Sequence, residues 1–348
     1  MKLTLLKEGF DAFLNENDRL LMEEFEKCPP QHELGNIFVF PTGNGFDLPG
    51  ESSKPTTGLE EVSIKSKKDE PETYTGWKDP DKVDKDGNPI LAPSDANAKL
   101  IKTGVSGAFN IPAGWSCPLA QKCLAKVDPT TKKMEDLNTE FEDAYRCYAA
   151  TEEAIRPAVR ALRWHNFNVL KDNVHSVEAL TNIIDQSLKL KFKNKLSGRF
   201  RIHSSGDFFH HNYFKAWIEV AKLNPSTLFY AYTKVLPFAV RYASSYLSVP
   251  NFKLIASEGG SSDSPEMWEK IKSLGIKYAK VGSRDELTAL FGDRVTNSDS
   301  DDSFAYDDSN RPFGMVVHGV QAAGSWASKE LSKEKKLRKA GAFRKDKF

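Results

Sequence analysis

Three cysteines stand out for the chemistry their side chains can do. Cys117 and Cys123 are separated by Pro-Leu-Ala-Gln-Lys, and Cys147 follows after 23 further residues. A thiolate is a soft metal ligand, so such a trio can hold zinc or three corners of an iron-sulfur cluster. It can equally be three unrelated reduced thiols, because the spacing lacks the paired C-x-x-C knuckles of a four-cysteine zinc module. Cys28, beside Pro29 and Pro30, is a candidate fourth ligand for a closed zinc site. Four cysteines in 348 residues are too few for a disulfide framework, and grouped thiols in a reducing compartment suit metal binding or catalysis.

A second set of reactive residues recurs in a rhythm. Segments rich in aromatic and β-branched residues begin at Arg199, Leu228, Phe252 and Ile276 and read as strands. Their ends carry, in turn, His203-Ser204-Ser205-Gly206-Asp207, Tyr232-Thr233-Lys234, Ser257-Glu258-Gly259-Gly260 and Lys280-Val281-Gly282-Ser283. In parallel α/β architectures ligands bind at the carboxyl ends of strands, where loops converge and helix N-termini point inward. His203, Asp207, Lys234 and Glu258 are therefore candidate catalytic residues, with Ser205, Gly206 and Gly259 beside them on the same rim as candidate binding residues. Taken singly, each also fits an ordinary turn or cap after a strand. His210-His211 reads as an exposed first helical turn.

The elements that must position these groups follow from the intervening text. Between the strands lie HNYFKAWIEVAKL, with Phe214, Trp217 and Ala221 on one side, then PFAVRYASSYL, then PEMWEKIKSL, capped by Ser264 with Pro265 at the first helical position and Gly275 past its end. Strand, helix and strand at this spacing predict βα units on a parallel sheet, with a partial, open β/α barrel favoured over a doubly wound sheet. Upstream, Thr151 reads as the cap of a helix that Pro157 either kinks or ends by opening the next, and Ser176 as the cap of one whose Leu180, Ile184 and Leu188 share a face. Tyr148, Trp164, Trp217 and Tyr230 read as core.

Composition bounds the class. With 39% hydrophobic and 28% charged residues the chain is too apolar for disorder and too polar for an integral membrane protein. No run reaches the roughly 18 apolar residues of a transmembrane helix. The amino-terminal text, MKLTLLKEGFDAFLNENDRLL, is interrupted by acids where a signal peptide stays apolar, which predicts an amphipathic helix and a cytoplasmic, non-secreted protein. Net charge is +1. Its distribution is uneven: the last 21 residues hold nine Lys/Arg against three acids, a possible contact for nucleic acid, while Asp299 to Asp308 reads as solvated acid. The organisation expected is a helical segment over 1–40, an irregular region over 41–96, a cysteine-containing α/β core over 97–325 and a basic tail over 326–348. Gly43-Asn44-Gly45 is a turn rather than a phosphate loop, and no G-x-S-x-G or H-E-x-x-H occurs.

Four strings, AGWSCPLAQKCLAKVD, YRCYAATEEAIRPAVRALRWHNFNVL, FRIHSSGDFFHHNYFKAWIEVAKLNPSTLFYAYTK and VVHGVQAAGS, resemble the bacteriophage family called gene product 88. The resemblance covers roughly Asn97 to Ser325 and implies a phage or prophage origin. A remoter likeness is to radical SAM enzymes, in which three cysteines bind a [4Fe-4S] cluster over a partial β/α barrel and the fourth iron holds S-adenosylmethionine. That likeness implies a metal role for Cys117, Cys123 and Cys147, and a role for Ser205-Gly206-Asp207 in receiving the methionine amino group. The departure is the spacing: radical SAM proteins carry C-x3-C-x2-C in one short loop, whereas 23 residues from Leu124 to Arg146 intervene here. The expectation is thus a phage-encoded, radical SAM-like iron-sulfur protein. The alternative is a zinc-stabilised, nucleic-acid-associated or structural phage protein without catalysis.

Overall fold

The computed structural model describes residues 90–128, 131–137, 140–296 and 302–339. The expected amino-terminal helix and Cys28 lie outside them. The strands are β1 (Ser94–Asp95), β2 (Val105–Phe109), β3 (Ala125–Val127), β4 (Met134–Asp136), β5 (Gly198–Ile202), β6 (Thr227–Thr233), β7 (Phe252–Ser257), β8 (Tyr278–Gly282), β9 (Val295–Thr296) and β10 (Phe313–Val316). The helices are α1 (Ala98–Lys102), α2 (Tyr148–Ile155), α3 (Pro157–Asp172), α4 (Val177–Lys191), α5 (His211–Leu223), α6 (Leu236–Arg241), α7 (Ala243–Tyr246), α8 (Pro265–Ser273), α9 (Arg284–Phe291), α10 (Ser303–Tyr306) and α11 (Trp326–Lys339).

Eight strands form one mixed but mostly parallel sheet in the order β1-β2-β5-β6-β7-β8-β10-β9, with only β1 antiparallel. All four strands expected from the sequence are present. From β2 to β8 each large-sheet strand lies beside the next in chain order, as βα units with connections of a dozen or more residues require. Register is fixed by hydrophobic partners such as Phe200 opposite Phe229 and Ala231 opposite Leu254.

The helices form where caps and apolar faces agree. Ser176 Oγ accepts from Ala179 N and Ser264 Oγ from Met267 N, while Pro157 and Pro265 open α3 and α8. One face of the sheet is covered by α4, α5, α6 and α8, whose Leu180, Ile184, Trp217, Phe238 and Ile271 pack on Phe200, Ile202, Phe229 and Leu254. Burying each such side chain contributes about 1.5–3 kcal/mol. The other face carries a smaller cluster, with Tyr230, Ile255, Phe313 and Met315 around Ala305.

Three expectations are corrected. The helix expected to be capped by Thr151 instead opens at Tyr148, because the Cys147 carbonyl already accepts from Thr151 N. His210 and His211 are buried: the His210 ring caps α5 by accepting from Asn212 N, and the two rings lie 4.2 Å apart. Within the acidic stretch Asp302 is buried, paired to Arg201 at 2.8 Å and to the Tyr230 hydroxyl, so it belongs to the sheet's second face rather than to solvent.

Candidate functional site

The cysteine loop leaves the end of β2 and crosses the carboxyl ends of the neighbouring strands. It is tied down in steps. Ile111 N donates to the Ser205 carbonyl, Asp207 N to the Ser116 carbonyl, and both Gln121 N and Lys122 N to the Gly259 carbonyl. Ala120 bridges Gly260. Cys117 and Cys123 thus lie over the ends of β5 and β7.

Cys147 returns through the segment that separates it from the others in sequence. β3 and β4 pair antiparallel, with Ala125 opposite Asp136. Leu137 N then donates to the Leu124 carbonyl, and Tyr145 N to the Lys122 carbonyl at 2.9 Å. The 23-residue separation therefore closes in space, and Cys147 caps α2 beside the first two cysteines. None of the three is in a disulfide.

Burial and neighbouring charge both act on these thiols. Burial pushes the Cys117 thiol well up, with Asp207, Cys147 and Cys123 raising it further. Cys147 is pushed up to about 11 by burial and then by Cys123. A deprotonated sulfur here faces like charge in a poorly solvated place. Among the described residues no three His, Cys, Asp or Glu side chains form a group that could hold a metal ion as they stand. The trio shares a locality and a soft-donor chemistry, without a ready-made coordination sphere.

Around the trio the predicted rim residues take different places. Asp207 is buried, its Oδ1 accepting from Phe208 N and Thr233 Oγ1, and Oδ2 from Lys234 N at 2.8 Å. Three of roughly four lone-pair positions are used, so one remains on this carboxylate. Burial raises its pKa against those hydrogen bonds. Lys234 is buried and donates from Nζ to Ser257 Oγ at 2.8 Å. Burial pulls its pKa down, while the neighbouring acidic groups, Asp207 among them, push it up beyond the ordinary lysine value. Ser205 donates to the Ile111 carbonyl and, at 3.3 Å, to Glu153 Oε1. Gly206 has φ +91, and a Cβ there would stand 2.2 Å from Ile111, so glycine alone fits where the cysteine loop presses on the strand end. Gly259, at φ +102, offers its carbonyl to the loop.

Two predicted residues point elsewhere. His203, at φ +64, turns towards the helical layer, where Nε2 meets the Tyr213 hydroxyl at 2.8 Å and the ring packs on Phe208. Burial and Arg201 depress it to about 3, so it is neutral. Glu258 pairs with Lys280 at 2.9 Å on the adjacent strand.

Sequence reasoning missed the residues that brace the site. Glu153 in α2 is completely buried. Its Oε1 accepts from Ala113 N, from Arg163 Nη1 at 2.9 Å and from Ser205 Oγ, joining the cysteine loop, the strand end and two helices, while Oε2 has no partner among the described residues. Asn110 Oδ1 accepts from Ser205 N, and Asp263 Oδ2 from Gly259 N. Glu153 had a faint signal in the i to i+10 pairing with Arg163 across Pro157; the others had none that distinguishes them from turn residues.

Comparison with known proteins meets this geometry at one point. A model of the family Gene product 88 matches residues 84–343, three quarters of the chain. The chain belongs to the Gene product 88 family. Among similar proteins, the Gene 88 protein of Mycobacterium phage L5 is 32% identical over 182 residues, spanning 51% of this chain and 66% of that protein, just under two thirds of it. The Gene 88 protein of Mycobacterium phage D29 is 28% identical over 226 residues, spanning 62% of this chain and 85% of that protein. No solved structure matches. The family model takes in the cysteine loop, the strand ends and the whole of α11 of this Gene product 88 chain. Among the described residues no helix is long and apolar enough to cross a membrane.

Proposed function

We propose that this Gene product 88 protein binds an iron-sulfur cluster through Cys117, Cys123 and Cys147 at the carboxyl ends of its parallel strands, with S-adenosylmethionine as the partner cofactor. The observation that carries the reading is the return of Cys147, past the paired β3 and β4, to the Cys123 segment, which gathers three free thiols beside Asp207, Lys234 and Gly259. Three sulfur ligands leave one iron of a [4Fe-4S] cluster open, and a cluster of that kind supplies the electron that cleaves the sulfonium cofactor. The succession of β2, β5, β6, β7 and β8 in chain order, with α4, α5, α6 and α8 on one face, favours an open β/α barrel over a doubly wound sheet.

The chain's own residues have definable tasks in this reading. The free lone-pair position on Asp207 accepts an ammonium, and Gly206 lets backbone approach it. The Lys234 ammonium, held at Ser257 Oγ, balances thiolate charge in the trio. Glu153 holds the loop and the Ser205 strand end in register.

Anaerobic reconstitution with iron and sulfide tests this. The expected product is brown, with close to four irons and four sulfides per chain, both lost in Cys147→Ser. A colourless protein carrying one zinc, or one taking up neither metal, overturns the cluster. Addition of S-adenosylmethionine to the reduced cluster is expected to change its electron paramagnetic resonance spectrum, and an unchanged spectrum overturns the cofactor assignment.

A further inference from the structure

The α11 helix is locked to the core on one side and basic on the other. Ala327 and Glu334 are buried, and Glu334 receives two hydrogen bonds from the Arg284 guanidinium, at 2.7 and 2.8 Å, on the neighbouring α9. At 3.6 residues per turn, Lys329, Lys333 and Lys336 fall on the opposite side, within about 60° of one another, and all are exposed. They form a ridge about 10 Å long. Glu334 is neutralised inside by Arg284, so Glu330, paired with Lys333, is the acid left to oppose the ridge on this helix.

The ridge is joined to the candidate site. The turn leading into α11 exchanges hydrogen bonds with the cysteine segment: Arg146 N donates to Gln321 Oε1 at 2.7 Å, and Gln321 Nε2 to the Arg146 carbonyl. The His318 ring lies 5.0 Å from that of Tyr148. Both partners adjoin Cys147. The amino end of α11 is thereby fixed next to the cysteine segment.

We infer that α11 is a landing ridge for single-stranded nucleic acid, whose backbone it directs to the cysteine-lined mouth. The substrate class follows from regular spacing of cations on a fixed helix, which suits a polyanion, and from strand-end groups such as Asp207 and Lys234 that are buried, which a base reaches only when it is unpaired. This rests on the functional reading above for the role of the mouth, but the ridge itself does not require a cluster.

The test is fluorescence anisotropy with a labelled oligonucleotide and the full chain, titrated between low and moderate salt. Wild-type protein is expected to bind a single strand with a steep salt dependence. K329Q/K333Q/K336Q is expected to bind at least roughly tenfold more weakly at low salt and to lose about 2 from the slope of log K against log salt. Replacing Lys193, Lys195 and Lys222, which lie away from α11, is expected to change neither. Equal losses in both triple variants, or no binding at low salt, overturn the ridge. Tighter binding to duplex overturns the single-strand assignment, and equal competition by polyglutamate overturns nucleic acid as the partner. Cys147→Ser is expected to keep full binding, so failure of the cluster reading and failure of the ridge are separately visible.

Discussion

At the amino ends of the strands, Lys277 Nζ donates to the carbonyls of Phe304 and Asp307 and to the Asp307 carboxylate, while Asn251 Nδ2 reaches the carbonyls of Ala221, Asn224 and Thr227. At the carboxyl ends, Glu153 Oε2, His203 Nδ1 and Asp263 Oδ1 are buried without partners among the described residues, and His203 adopts a left-handed backbone. An unpaired buried polar atom costs roughly 1–3 kcal/mol, and a non-glycine residue in the left-handed region costs a similar amount. One end of this sheet is built to be stable. The other leaves Glu153 Oε2 and Asp263 Oδ1 buried and unpaired next to the cysteine loop.

The largest expected effect comes from cutting the brace at the strained end. Glu153→Ala takes from the buried Arg163 guanidinium one of its two carboxylates, Glu152 being the other, and leaves Ala113 N buried without its acceptor. Unfolding by denaturant is expected to show a loss of about 3–5 kcal/mol. A loss below about 1 kcal/mol would mean that the pair is hydrated and the brace illusory. Next comes Gly206→Ala, which combines a disfavoured φ with a contact on Ile111 that must give way. The expected cost is about 3 kcal/mol, together with loss of iron uptake as the cysteine loop shifts.

Acid should reveal the same end. His203 is depressed to about 3 when folded, against an ordinary value of 6.5. Its contribution is complete above pH 6.5 and is lost as pH falls towards 3, because the unfolded chain takes up the proton first. Between pH 7 and 5 this amounts to about 2 kcal/mol. His203→Asn, which tolerates the left-handed backbone and does not titrate, is expected to flatten that part of the pH-stability curve. An unchanged slope would place the acid sensitivity elsewhere, His210 being the next group to examine since burial depresses it too.

The repeating part of the fold was legible because parallel strands and their covering helices write long, regular patterns. β5 to β8, α5 and α8 follow from runs such as LFYAYTK and from caps such as Ser264. β2 and β10 escaped because VSGAF and FGMV are short and glycine-containing, and their places in the sheet come from neighbours distant in sequence. The site was half legible. Asp207, Lys234 and Gly259 stood at strand ends and Cys117 in a spaced trio, but no local pattern says that His203 turns over into an aromatic cluster or that Asp302 crosses to Arg201. Those outcomes depend on which face a residue meets after folding. Local periodicity does not encode that.

The smallest effect tests the quiet end. Asn251→Ala removes three donor contacts, yet Ala221 keeps a second donor in Asn224 N, and the Asn251 carbonyl still receives Phe229 N. The expected cost is therefore only about 1–2 kcal/mol, independent of pH between 5 and 8. Because Asn251 sits at the start of β7 and the cysteine loop crosses its end, iron uptake and oligonucleotide affinity should stay at wild-type levels. If this variant instead lost metal, the two ends would be mechanically coupled through β7. Strain at the upper rim would then be a property of the whole sheet rather than a local one.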